Sequence, residues 1–167
     1  MRPPILILMG VSGCGKTVVG QALARRLGCP FIEGDDFHPS SNVAKMRSGL
    51  PLDDEDRKDW MAALRAEIER QADQAILSCS ALKRKHRDFL RDLDRSVHFL
   101  YLWGERALLQ ERIDSRRGHF FAPKLLDSQL EALEPPDDSE KAHALSIDDT
   151  VENIVAQALR LLDNCGF

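Results

Sequence analysis

Residues 5–17 read Ile5-Leu6-Ile7-Leu8-Met9-Gly10-Val11-Ser12-Gly13-Cys14-Gly15-Lys16-Thr17, and this stretch decides the fold. Its first five residues form an unbroken apolar run, the pattern of a strand buried on both faces. The next eight match the spacing G-x-x-x-x-G-K-[ST]. Glycines there accept backbone angles that other residues resist, so amide N–H groups can turn inward toward phosphate oxygens. A lysine at position 16 reaches β- and γ-phosphates, and a threonine at position 17 can place its hydroxyl on magnesium. Val19, Leu23 and Leu27 then recur every four residues, which predicts a helix from Lys16 to Leu27 stopped by Gly28. The positive end of that helix adds to the same phosphate site. The candidate nucleotide-binding residues are therefore Gly10, Val11, Ser12, Gly13, Cys14, Gly15, Lys16 and Thr17. Cys14 reads as a small filler of the loop rather than a nucleophile.

Outward from the loop, short apolar runs alternate with amphipathic stretches. Strands are predicted at Pro30–Ile32, Ala75–Cys79, Val97–Trp103 and Ala144–Ile147. Helices are predicted around Trp60, Leu64 and Ile68, and over 83–93, 107–116, 125–133 and 149–162. Asp149 and Glu152 stand at capping-box spacing before the last of these. Five strands interleaved with helices imply an α/β fold, a three-layer α/β/α sandwich with right-handed crossovers. The 167 residues suit one domain, with 43% hydrophobic and 30% charged residues. A net charge of −4 argues against a general affinity for nucleic acid or anionic membrane. No apolar run is long enough to span a bilayer. The four cysteines lack metal-ligand spacing and read as reduced thiols, so a cytoplasmic location is expected.

The second half of the site is sought at strand ends, which face the phosphate loop in such a sheet. Glu33-Gly34-Asp35-Asp36-Phe37-His38-Pro39 ends the second strand. A carboxylate there can orient or deprotonate an acceptor hydroxyl and help hold magnesium, and Asp35 is the first candidate. The same acids could equally cap the next helix or stay solvated. Cys79-Ser80-Ala81-Leu82-Lys83 follows the third strand, and Arg84, Lys85 and Arg87 come after it. Arg112, Arg116, Arg117, Gly118, His119, Phe120 and Phe121 join a basic helix end to a glycine and two aromatics. Arginines beside a glycine hinge suit a lid that closes over ATP and neutralises transferring charge. Either basic cluster could also be a solvated helix face. No guanine-reading N-K-x-D motif is present.

Taken together these blocks resemble the small bacterial-type gluconokinases over nearly the whole chain. The resemblance lies in MGVSGCGKT, in EGDDFHPSSNVAKMRSGLPLDDEDRKDW from Glu33 to Trp60, in CSALKRKHRD from Cys79 to Asp88, and in RRGHFF from Arg116 to Phe121. It implies a fold like the nucleoside monophosphate kinases and shikimate kinase: a P-loop NTPase domain over 1–167 with a five-stranded parallel sheet. A substrate-binding insertion is implied at about 37–74 and a lid at about 116–126. It implies ATP-dependent phosphorylation of D-gluconate with Mg2+, and a possible homodimer. Lys16, Asp35 and Arg116 are implied in catalysis, with Arg112 and Arg116 also at the nucleotide. Asp35, His38, Lys45, Arg57, Lys83 and His119 are implied at gluconate, and Thr17 and Asp35 at the metal. Two departures are His86 where the family often has tyrosine, and Asp59 where it often has proline. No aspartate ends the third strand; Ser80 lies near that place. A kinase for another small hydroxy acid or a nucleotide, and a nucleotide-binding regulatory module, are the alternatives.

Overall fold

The computed structural model describes residues 2–116 and 123–163. In chain order the elements are β1 (Ile5–Met9), α1 (Lys16–Leu27), β2 (Phe31–Glu33), a 3-10 turn (Gly34–Phe37), α2 (Ser40–Arg47), α3 (Arg57–Arg70), β3 (Ala75–Ser78), α4 (Arg84–Arg91), β4 (Val97–Trp103), α5 (Arg106–Asp114), α6 (Pro123–Ala132), β5 (Ala142–Ser146) and α7 (Val151–Leu162). The five strands form one parallel sheet in the order β2-β3-β1-β4-β5. The chain leaves β1 toward one side of the sheet and reaches β4 on the other. Its order therefore reverses about β1, and ligands of such sheets bind outside the carboxyl end of the strand at that reversal.

Both faces of β1 are covered, which explains its continuous apolar run. Leu6 and Leu8 face a cluster built with Val19 and Leu23 of α1, Ile113 of α5, Leu126 of α6, and Ile154 and Ala158 of α7. Ile5, Ile7 and Met9 face Trp60, Leu64 and Ile68 of α3 and Leu90 of α4. Burial of each such side chain contributes roughly 1.5–3 kcal/mol. The strand carrying the phosphate loop is thus clamped between two cores. No described helix is long and apolar enough to cross a membrane.

Local details depart from the sequence expectations. The second strand runs one residue later than expected and ends on Glu33 rather than Ile32. Helix α2 forms despite its Ser-Ser-Asn start, with the Asn42 and Val43 amides closing onto the Pro39 carbonyl. The expected Asp149–Glu152 box is not the cap of α7. Thr150 holds the extended backbone of an N-cap, and its hydroxyl accepts the Asn153 amide at 3.2 Å. Asp149 instead accepts the Thr150 amide and the Asn153 side chain, both at 2.7 Å.

Arg87, expected in a basic cluster open to the site or to solvent, is fully buried. Its Nε and Nη2 donate to Glu140 at 2.6 and 2.9 Å, and Nη1 donates to the Ala81 and Leu82 carbonyls. The pair joins α4 to the segment before β5 and orients the turn after β3. Ala81 there holds φ 42, a left-handed conformation uncommon for a residue with a Cβ. The Arg87 hydrogen bonds hold the Glu140 carboxyl below its ordinary value of 4.5. Glu140→Gln leaves a buried guanidinium without its counter-charge, which should cost about 3 kcal/mol at pH 7, on the order of 10 °C in Tm. A carboxyl depressed on folding stabilises above its unfolded pKa and loses that contribution as pH falls. The Tm gap between variant and wild type, followed by thermal melts, should therefore narrow below about pH 4.

Candidate active site

The loop after β1 takes the conformation its glycines permit. Gly10, Gly13 and Gly15 have φ of 143°, 85° and 90°. Space matters as much as angle: a Cβ on Gly13 would lie 2.8 Å from Ile113 of α5. Val11 and Cys14 turn their side chains into the core beneath the loop, so they can meet a ligand only through backbone. The Lys16 ammonium donates to the Gly10 and Val11 carbonyls at 3.0 and 3.2 Å and lines a cleft of about 390 Å³. The Gly10, Ser12 and Cys14 amides already donate to Ser80, Gln129 and Val11, so the loop's other amides and the lysine are what an anion can meet.

Beside the first turn of α1 stands the end of β2. Thr17 Oγ1 donates to Glu33 Oε2 at 2.5 Å, and Glu33 also accepts the Ser78 hydroxyl. Ser78 Oγ in turn accepts the Gly34 amide at 3.1 Å. One carboxylate thus ties the first turn of α1 to the ends of β2 and β3. Glu33 was not among the candidates from sequence. The usable signal is a carboxylate directly after the predicted second strand, where strand ends face the phosphate loop; Asp35 stands two residues further on.

Asp35 lines the cleft from the 3-10 turn, with its side chain 74% exposed. His38 stacks on Trp60 with ring centroids 4.2 Å apart, and Trp60 Nε1 donates to the Gly34 carbonyl at 2.8 Å. Burial lowers the His38 pKa below 6.5, and Asp35, 3.9 Å away, only partly offsets it. His38 is therefore a neutral imidazole at pH 7, able to donate or accept but carrying no charge. Arg57 lines the same wall and supplies a cation.

Lys45 and Lys83 are not among the cleft-lining residues. Lys45 pairs with Asp56 at 2.5 Å, and Lys83 pairs with Asp54 at 3.0 Å. Asp54 also receives Lys85 at 2.5 Å and stands 4.0 Å from Arg57 and 3.5 Å from His86. Hydrogen bonds from Lys85 and Lys83 hold its carboxyl far below the usual carboxylate range. His86 is pushed down to about 4 by burial and by Arg57, so it too is neutral at pH 7. These acids anchor the basic residues around Arg57 rather than facing a ligand.

Arg116 lines the cleft, whereas Arg112 donates to the Ile147 carbonyl at 2.5 Å beside Gly15. His119 and most of the expected lid lie outside the described residues. Arg47 and Gln129 line the cleft although sequence reasoning named neither. Among the described residues no group of three or more His, Cys, Asp or Glu side chains is placed to hold a metal ion. A hydroxyl at Thr17 with a carboxylate behind it suits a small hard cation whose remaining ligands are phosphate and water.

A strand, a phosphate loop and a polar cleft of this kind occur in many kinases, so relatives decide among them. The shikimate kinase family model matches residues 12–160. The chain is 40% identical to a gluconokinase of Gluconobacter oxydans, over 96% of this chain and 92% of that protein. The thermoresistant gluconokinase of Escherichia coli is 39% identical, covering 95% and 93%. The chain belongs to the gluconokinase family. A solved gluconokinase from Sinorhizobium meliloti superposes with a TM-score of 0.91 at 41% identity, over 99% of this chain and 94% of that one. These gluconokinase relatives match nearly the whole chain, while the shikimate kinase match names the wider family. As a member the chain is a kinase and uses ATP.

The joint between the two halves of the site is tight at Gly34. A Cβ there would stand 1.9 Å from the Ser78 carbonyl oxygen, so strand ends would have to part. Gly34→Ala should cost about 2 kcal/mol, seen as a Tm lower by roughly 5 °C, and should cut turnover because Glu33 and Asp35 move with it. Unchanged Tm and turnover would show that the joint yields.

Proposed function

We propose that this chain transfers the γ-phosphoryl group of ATP to the primary hydroxyl of D-gluconate, giving 6-phospho-D-gluconate, with Mg2+ as cofactor. The observation carrying this is the identity of about 40% to gluconokinases over nearly the whole chain. The loop amides and Lys16 bind the nucleotide phosphates. Arg57, a cation on a partly buried wall, receives the gluconate carboxylate, and neutral His38 hydrogen-bonds the polyol. Asp35 orients the acceptor hydroxyl and takes its proton as the phosphoryl group leaves ATP. Arg116, on the loop side, meets charge on the transferring group. Most of the rate gain comes from position and charge, because phosphoryl transfer needs little covalent help.

Mg2+ bound to the nucleotide would neutralise phosphate charge and help align the transferring group. Thr17 is the residue that would hold it, with Glu33 behind Thr17 as the acceptor that orients the hydroxyl or a bound water. Asp35, which the resemblance implies at the metal, lines the cleft, while Glu33 is the carboxylate that touches Thr17. Lys45 and Lys83 act at one remove, by keeping the Asp54–Asp56 segment folded against Arg57. We place the reaction in the cytoplasm, where ATP is at hand and free thiols such as Cys14 and Cys79 stay reduced.

A coupled assay for ADP release should show strong acceleration by gluconate and little by shikimate or other sugar acids. Acceleration by shikimate alone would replace the gluconate assignment. In the same assay Asp35→Asn should lower kcat by about 10²-fold or more with nucleotide affinity retained. Full turnover by that variant removes Asp35 from proton transfer. Calorimetry with a non-hydrolysable ATP analogue should show that Glu33→Gln weakens binding about tenfold with Mg2+ present and hardly at all in EDTA. Equal weakening in both conditions would assign Glu33 to fold support alone.

A further inference from the structure

Helix α6 touches both halves of the cleft. Near one end, Gln129 Oε1 accepts the Ser12 amide at 2.7 Å, and Gln129 Nε2 donates to Ser12 Oγ at 3.2 Å. Just past that same end, the Glu134 amide donates to the Leu82 carbonyl at 2.8 Å, and Glu134 Oε2 accepts the Arg84 amide at 2.7 Å. Leu82 is held again from behind by Arg87. Helix α6 is itself anchored, with Leu126 fully buried in the core. The last turn of the helix and the residues just after it thus make a short strut from the phosphate loop to the turn after β3.

The loop end of this strut has two features that simple packing does not need. Both ends of one carboxamide are spent on a single residue, so the link fixes the orientation of Ser12 as well as its distance. Ser12 also lines the cleft with Lys16 and Asp35. In-line transfer is sensitive to placement: a shift near 1 Å can cost on the order of 10²-fold in rate.

We propose that Gln129 is a positioning residue for phosphoryl transfer, its carboxamide holding Ser12 of the phosphate loop in register with the acceptor wall. The role presupposes the kinase reaction proposed above. Gln129 acts through Ser12, so its loss should fall on kcat rather than on nucleotide binding or stability.

Gln129→Ala, Ser12→Ala and the double variant test this, with Asp127→Ala as control. Asp127 lies on the same helix but pairs at the surface with Arg106. Gln129→Ala should lower kcat about tenfold or more, while the Kd of a non-hydrolysable ATP analogue stays within about twofold. Tm should stay within about 3 °C, and the double variant should lose little more than Gln129→Ala alone. Asp127→Ala should keep wild-type kcat. An unchanged kcat in Gln129→Ala, additive losses in the double variant, or losses in kcat, affinity and Tm that move together would each overturn the role. So would an equal loss in Asp127→Ala. A wild-type chain without gluconate-dependent turnover sinks the gluconate assignment instead. The variants are then compared on whichever acceptor the panel identifies or on basal ATP hydrolysis, so the two failures are separable.

Discussion

Gly10, Gly13 and Gly15 all hold positive φ, and a loop in that state keeps its amides turned inward only while its two ends are immobile. The structure supplies that immobility from several sides. Strand β1 enters the loop with both faces buried, and α1 leaves it with Val19 and Leu23 in the core. Val11 and Cys14 press down into the same core, and Ile113 closes against Gly13. The fold thus stands under the loop as a rigid mount, which preorganised phosphate binding requires.

A mount for one substrate is not enough, because transfer needs the acceptor at a set distance. Two polar links join the loop to the neighbouring strand ends. Glu33 joins Thr17 to Ser78, and so joins α1 to the strand ends from which the 3-10 turn and Asp35 emerge. On the other flank, α6 joins Ser12 to the turn after β3. Around Arg57 the acids Asp53, Asp54 and Asp56 hold Lys45, Lys83 and Lys85, which keeps a crowd of cations from collapsing on the cleft. Burial keeps His38 and His86 neutral within this charged setting, so the wall presents Arg47 and Arg57 as cations and His38 as a neutral hydrogen-bonding group.

Much of this was legible beforehand for a simple reason. The phosphate loop, β1 and α1 are contiguous, and their signals are local: an apolar run, glycines at fixed spacing, a four-residue apolar period. The sheet followed from the same kind of signal repeated along the chain. The errors also have local causes. The cap of α7 went to Thr150 because a hydroxyl in an extended residue can reach the Asn153 amide, a choice that composition alone does not rank. The end of β2 slipped one residue because Glu33 is polar, and a polar residue does not read as strand unless its partner, Ser78, is known.

What the amino-acid order determined by itself is the α/β class and the place of the phosphate loop between a buried strand and an amphipathic helix. Only the tertiary structure decided which charges face the cleft. Arg57 and Lys83 are both cations in the acceptor blocks, yet one lines the cleft and the other is turned onto Asp54. Arg87 sits in a basic run, yet is buried against Glu140, 53 residues away. Gln129 meets Ser12 across 117 residues. A side chain's role follows from the group it ends up beside, and hydrogen bonds or ion pairs between distant segments form only once packing of the two cores has brought those segments together.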